Sequence, residues 1–158
     1  MSKILSSFSA RLSRLAFLLP LALCAQTELL TVSAPPVTGK KAEPFVVKVN
    51  VQLKEGLHCN TNKPNDELLI PLKLTIDKGG FDVVKVDYPA GKNEKYSFSE
   101  QPLNVYTGAF TIAVTLKARP GTPGGLAMAG GKLRYQACSE TMCFPPKTVD
   151  VRIPIDLR

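Results

Sequence analysis

Four runs of alternating apolar and polar residues, Gly/Pro turns between them, and no amphipathic helical stretch of ten residues or more predict an all-β chain. Short strands at close spacing fit an antiparallel β-sandwich, immunoglobulin-like in outline. The first run is Phe45, Val47, Val49, Val51 and Leu53, interleaved with Val46, Lys48, Asn50 and Gln52. The second is Ile70, Leu72, Leu74 and Ile76 around Pro71, Lys73 and Thr75. The third sets Phe110, Ile112, Val114 and Leu116 against Thr111, Ala113 and Thr115. The fourth sets Val149, Val151, Ile153, Ile155 and Leu157 against Asp150, Arg152, Pro154 and Asp156. A period of two sends one side of each strand into a core and the other into water.

Turns are marked by Glu55-Gly56, Lys78-Gly79-Gly80, Pro89-Ala90-Gly91 and Pro120-Gly121-Thr122-Pro123-Gly124-Gly125. Pro71 and Pro154 lie inside strand-like runs, which points to edge strands or bulges. The longest irregular stretch runs from Pro89 to Asn104 and holds Tyr96 and Phe98, with Tyr106 just beyond it. Aromatic residues in a loop of this length favour a packed functional loop over a floppy one.

The N-terminus carries Lys3, Arg11 and Arg14 with no acidic residue, then an apolar run from Leu15 to Leu23, then small residues at Ala22 and Ala25. This is the layout of a cleaved secretory signal, with cleavage near Ala25. Nine apolar residues fall far short of the roughly 20 that span a bilayer as a helix, so no membrane span is expected. A lipid anchor on Cys24 is disfavoured by the bulky Leu23 before it. The boundaries become 1–25 for the signal, 26–43 for an extended lead-in rich in Pro, Ser and Thr, and 44–158 for a single sandwich domain of an exported protein. Loss of Lys3, Arg11 and Arg14 takes the net charge from +7 to +4. A mild excess without basic clusters or interleaved aromatics excludes a nucleic-acid partner.

Three cysteines remain after the signal: Cys59, Cys138 and Cys143. An odd number leaves one thiol unpaired or permits alternative pairings; the simplest pairing joins Cys138 to Cys143. The bond would be either a structural staple or a redox pair. A loop of about six residues makes a weak staple, about 2 kcal/mol against about 4.7 kcal/mol for a hundred residues. The Trp that accompanies an inter-sheet disulfide in antibody domains is missing, since the chain has no Trp. The short spacing therefore favours a thiol–disulfide pair. Exchange requires a thiolate with access to a partner's disulfide. Lys147 would favour that thiolate and Glu140 would oppose it. Phe144-Pro145-Pro146 would form a stiff apolar wall beside Cys143, or simply break a strand.

Cys59 is either a buried small apolar residue or a candidate third thiol. His58, the one histidine, opens a different reading: His58, Cys59, Cys138, Met142 and Cys143 form a soft ligand set suited to Cu(I) if the two segments meet. With no second His and no Met-rich run, no metal site is assigned. Exchange itself needs no cofactor, and none is expected.

Tyr135-Gln136-Ala137-Cys138 followed by Cys143-Phe144-Pro145-Pro146 resembles the N-terminal periplasmic domain of the DsbD thiol:disulfide interchange family. Asn60-Thr61-Asn62-Lys63-Pro64, Leu69-Ile70-Pro71 and Tyr88-Pro89-Ala90-Gly91 resemble it too, so the similarity spans about Leu29 to Leu157. The resemblance implies an immunoglobulin-like thiol:disulfide oxidoreductase of the periplasm. It would take electrons from a thioredoxin-like or membrane-bound donor and pass them to exported disulfide-containing proteins. Cys138 and Cys143 match the redox-active pair, with Cys143 forming the mixed disulfide. A cap loop with an aromatic shields the pair in that family; Phe98 is the best match, and Tyr96, Phe144, Pro145 and Tyr135 are the other cap or partner-facing candidates.

Three features depart from the family pattern. Four residues separate the cysteines, one fewer than in the best-known members. Tyr96 and Ser97 stand where those members have acidic residues before the cap aromatic. The membrane-embedded and thioredoxin-like parts are absent from this sequence, so a separate donor is expected. The competing reading is a non-enzymatic binding module held by a static disulfide.

Overall fold

The computed structural model describes residues 28–158; the expected signal at 1–25, with Cys24 and Ala25, lies outside the described residues. Those residues form twelve strands and no helix. In chain order they are β1 (Leu30–Ser33), β2 (Val37–Gly39), β3 (Phe45–Leu53), β4 (His58–Asn60), β5 (Lys73–Ile76) and β6 (Phe81–Asp87). Then come β7 (Lys92–Glu94), β8 (Leu103–Thr107), β9 (Ala109–Ala118), β10 (Gly125–Tyr135), β11 (Ala137–Cys138) and β12 (Lys147–Leu157).

Two four-stranded sheets make the sandwich. One has the order β1-β3-β9-β6 and the other β2-β12-β10-β5. The alternating runs behave as their period dictates. Val47, Val49, Val51 and Leu53 of β3 and Ile112, Val114 and Leu116 of β9 are buried. They join Val151, Ile153, Ile155 and Leu157 of β12 and Leu133 of β10 in one core cluster. Every pairing is antiparallel except β2 with β12, which is parallel. The stretch read as a lead-in supplies both β1 and β2, one to each sheet. Pro35-Pro36 lies between them; with no N–H to donate, it ends one ladder and lets the chain cross to the other.

Three local features depart from simple alternation. β10 is hidden in sequence by Ala127, Ala129, Gly130 and Gly131, whose small side chains dilute the apolar signal. Gly131 is needed there: a Cβ would stand 2.7 Å from the carbonyl oxygen of Thr75 on β5. Pro71 precedes β5, which is an edge strand. Pro154 lies within β12, an inner strand. The Arg158 N–H donates to Gly39 on β2, so even-numbered N–H positions of β12 face that side. Position 154 then lies beyond the start of the β2 ladder, which opens at Ile155 with Val37, and no donor is required.

A third, smaller sheet, β11-β4-β8-β7, packs Cys59, Tyr106 and Ala137 into the core of the sandwich. The stretch from Pro89 to Asn104 packs into it: β7 lies at its edge, and Tyr96, Leu103 and Val105 form a second apolar cluster with Leu69. Leu133 is fully buried between the sheets. Leu133→Ala should lower unfolding stability by about 2–5 kcal/mol, read as a shift of the urea midpoint at unchanged slope.

Candidate functional site

β10 and β12 pair without a break from Gly125 with Leu157 to Tyr135 with Lys147. Residues 136–146 therefore form an excursion out of one hairpin, and this excursion carries both cysteines. Its first arm, β11, leaves the sandwich and pairs with β4: Ala137 lies opposite Cys59 and Cys138 opposite His58. Its second arm returns antiparallel, with Cys143 opposite Cys138. The Ser139 N–H donates to the Met142 carbonyl at 2.8 Å, and the Phe144 N–H donates to the Ala137 carbonyl at 2.8 Å. These two bonds flank the cysteines, which puts both side chains on one face.

The turn is closed by Ser139. Its Oγ accepts from the N–H groups of Thr141 and Met142 at 3.3 and 3.2 Å. Gln136 Nε2 donates to the Phe144 carbonyl at 3.0 Å and clamps the base of the excursion. Pro145-Pro146 then ends the pairing before β12 begins at Lys147.

Cys138 and Cys143 are joined by a disulfide. Their environments differ sharply: Cys138 is 2 % exposed, whereas Cys143 is open to solvent. An incoming thiolate can therefore reach one sulfur and not the other. Met142, 56 % exposed, stands beside Cys143, with exposed Pro145 and half-buried Phe144 on its other side.

The loop after β7 lies over this site. The Tyr96 ring stacks on His58 with centroids 3.8 Å apart, and Phe98 stacks on Tyr96 at 5.5 Å. Tyr96 is buried, and Phe98 forms the outer, 42 % exposed layer. The Tyr96 hydroxyl donates to Glu94 Oε2 at 2.6 Å. Ser97 Oγ donates to the Glu140 carbonyl at 3.0 Å, tying the loop to the cysteine turn. Burial, followed by the hydrogen bond and charge of Glu94, raises the Tyr96 pKa. Burial lowers the His58 pKa, with the Glu94 charge pulling the other way.

One expectation needs correcting, and one open alternative is decided for the buried reading. Tyr135 does not face a partner: it is 1 % exposed and belongs to the core, because the alternation of β10 turns Ala129, Leu133 and Tyr135 inward together. Cys59 is not brought to the pair. It is adjacent to His58 on one strand, so the two side chains take opposite faces. His58 shares the face of Cys138, while Cys59 lies with Ala137 and Tyr106 in the main core. The same parity splits the soft ligand set proposed for Cu(I). Among the described residues no group of three or more His, Cys, Asp or Glu forms a metal cluster.

The sequence reading treated His58 solely as a metal ligand and overlooked Glu94. The signal for both was weak, since each becomes part of the site through pairing across the small sheet. Burial pushes the Cys59 thiol up to about 12. In the oxidised native protein at pH 8, iodoacetamide should leave Cys59 unmodified; in denaturant it should alkylate fully, as counted by mass spectrometry.

Among the described residues no helix is long and apolar enough to cross a membrane. No curated protein gives a significant match to the sequence. Among solved structures, the seventh ScaB type I cohesin from Pseudobacteroides cellulosolvens aligns at a TM-score of 0.43 and 12 % identity, over 82 % of this chain and 92 % of that one. The VesB protease of Vibrio cholerae aligns at a TM-score of 0.40 and 11 % identity, over 82 % of this chain and 32 % of that one. Residues 26–154 match the family model described as thiol:disulfide interchange protein DsbD, N-terminal. With its paired cysteines on an all-β scaffold, the chain belongs to that family.

Proposed function

We propose that this chain is an exported, periplasmic thiol–disulfide exchange domain that carries two electrons on Cys138 and Cys143. The observation that supports this most is the asymmetry of the bond, with one sulfur in solvent and one beneath a loop. A donor thiolate, from a thioredoxin-like or membrane-bound protein, attacks Sγ of Cys143. The Cys138–Cys143 bond breaks, and Cys138 leaves as a thiolate that takes up a proton. A second donor thiol attacks the mixed disulfide; the donor departs oxidised and both cysteines are reduced. In the delivering half, the Cys143 thiolate attacks the disulfide of an exported protein. Cys138 then attacks Cys143 and releases the target as a dithiol. No cofactor enters, because each step exchanges one sulfur–sulfur bond for another.

The loop of Tyr96 and Phe98 acts in this reading as a cap. Two aromatic layers and the Ser97–Glu140 hydrogen bond hold it over the turn, and a docking partner would displace it. Exposed Pro145, the edge of Phe144 and Met142 offer the apolar rim that a partner would cover.

A redox titration should place the pair above about −300 mV, in the labile range; a lower potential would make it a static bond of a binding module. With a reduced thioredoxin-type donor, either Cys143→Ser or Cys138→Ser should abolish turnover; offered an oxidised disulfide partner instead, Cys138→Ser should trap a mixed disulfide through Cys143, because no second thiol is left to resolve it. Full turnover in both variants would refute the reading. Phe98→Ala should speed alkylation of the reduced protein several-fold, and an unchanged rate would end the capping role.

A further inference from the structure

We propose that His58 is the base that takes the proton from Cys138 when the mixed disulfide at Cys143 resolves; this rests on the exchange reading above. The argument begins with position. His58 lies directly opposite Cys138 across the β4–β11 ladder. Side chains so paired share a face, with Cβ atoms roughly 4.5–5.5 Å apart, within reach of an imidazole and a thiol. The ring is held in place by Tyr96, stacked at 3.8 Å and nearly parallel, with Phe98 beyond it.

The second observation is an unpaired polar atom. His58 is 3 % exposed, and its Nε2 has no hydrogen-bond partner among the described residues. Buried polar atoms in folded proteins are nearly always satisfied. In the disulfide form Cys138 has no proton to give. Reduction creates one S–H donor on that face, and Nε2 is the acceptor waiting for it.

The need for a base falls on one cysteine alone. Cys143 is exposed and can lose its proton to water. Cys138 is buried, and burial disfavours the thiolate it must become in order to attack. The surrounding charges suit a base of this kind. Tyr96 stacks on the ring, and Glu94 from β7, Glu140 from the cysteine turn, and Lys54 and Glu55 from the β3–β4 turn line one cleft with His58. From β8, the residue paired with His58 is Thr107, which carries no charge. Lys95 is occupied by the carbonyls of Ser99 and Glu100. Burial favours the neutral imidazole, and the Glu94 charge favours the imidazolium that forms in the step.

The step balances. The Cys138 proton passes to His58 Nε2, and the Cys138 sulfur attacks Cys143. The Cys138–Cys143 bond forms as the Cys143–target bond breaks, and the target leaves as a thiolate. The two cysteines are oxidised and the target disulfide is reduced. Read backwards, the imidazolium protonates Cys138 as it leaves.

The test uses reduced protein mixed with 5,5′-dithiobis(2-nitrobenzoate). Attack by Cys143 releases one chromophore, and resolution by Cys138 releases the second. At pH 7, His58→Phe, which preserves a ring for the stack, and His58→Gln, which preserves hydrogen bonding, should leave the first release within about twofold. Both should slow the second by about tenfold or more, the modest end of general-base effects. In the wild type the second rate should rise as His58 loses its proton, below pH 6.5, and then level off. In the variants it should keep climbing into the thiol range. An unchanged second release in a variant with native circular dichroism overturns the proposal, as does an equal loss in both releases. A wild-type protein that gives no second release would instead overturn the exchange reading itself.

Discussion

The two-residue ladder between β11 and β4 is the contact on which the site depends. It pulls the cysteine excursion away from the β10–β12 hairpin and docks it on the small sheet. Without it the cysteines would form an isolated turn in water, both sulfurs open. With it, Cys138 is covered while Cys143, on the returning arm, stays exposed. The ladder also sorts the neighbours: one register puts His58 with Cys138 and sends Cys59 to the other face. A slip of one residue would exchange them, because strand side chains alternate strictly. The register is held by full burial of Cys59 and Ala137 in the main core.

The cap is built on the same sheet. β7 lies two strands from β4, joined through β8, so the loop that follows it is delivered above His58. At its root is Gly91, where a Cβ would collide with the side chains of Thr61 and Asn104. The site keeps a carboxylate beside Tyr96. Glu94, two residues earlier, accepts the Tyr96 hydroxyl and supplies the negative charge from the strand. The loop is held by stacking and by one hydrogen bond to a backbone carbonyl, contacts that a docking surface can replace.

Much of the sandwich was legible because its strands are half-buried. Val47 to Leu53 and Val151 to Leu157 alternate without a break, and their burial follows that alternation. β10 was not legible: Gly130 and Gly131 carry no side chain to mark a face, and their role is room for β5 and for Asp77. Pro154 suggested an edge strand or a bulge and lies on an inner strand in unbroken register with β10, since its missing donor points past the end of β2. At the site, the cysteine spacing announced a bond between Cys138 and Cys143, and the bond is there; that it closes a short antiparallel hairpin is a finding of the structure. Tyr135 looked like part of the same outward-facing motif. It belongs instead to β10, whose alternation turns it inward.

The amino-acid sequence alone determined that this chain is all-β, that Cys138 and Cys143 stand close enough to join, and that an aromatic loop lies apart from them. These follow from local rules: alternation of period two, turn chemistry, and the short reach between neighbouring cysteines. Tertiary structure decided which sulfur meets solvent, that Cys59 is excluded, and that His58, Glu94 and Tyr96 converge on the pair. These residues are separated by up to about 80 positions and meet through strand register, and register is set by burial across the whole sandwich rather than by any local pattern.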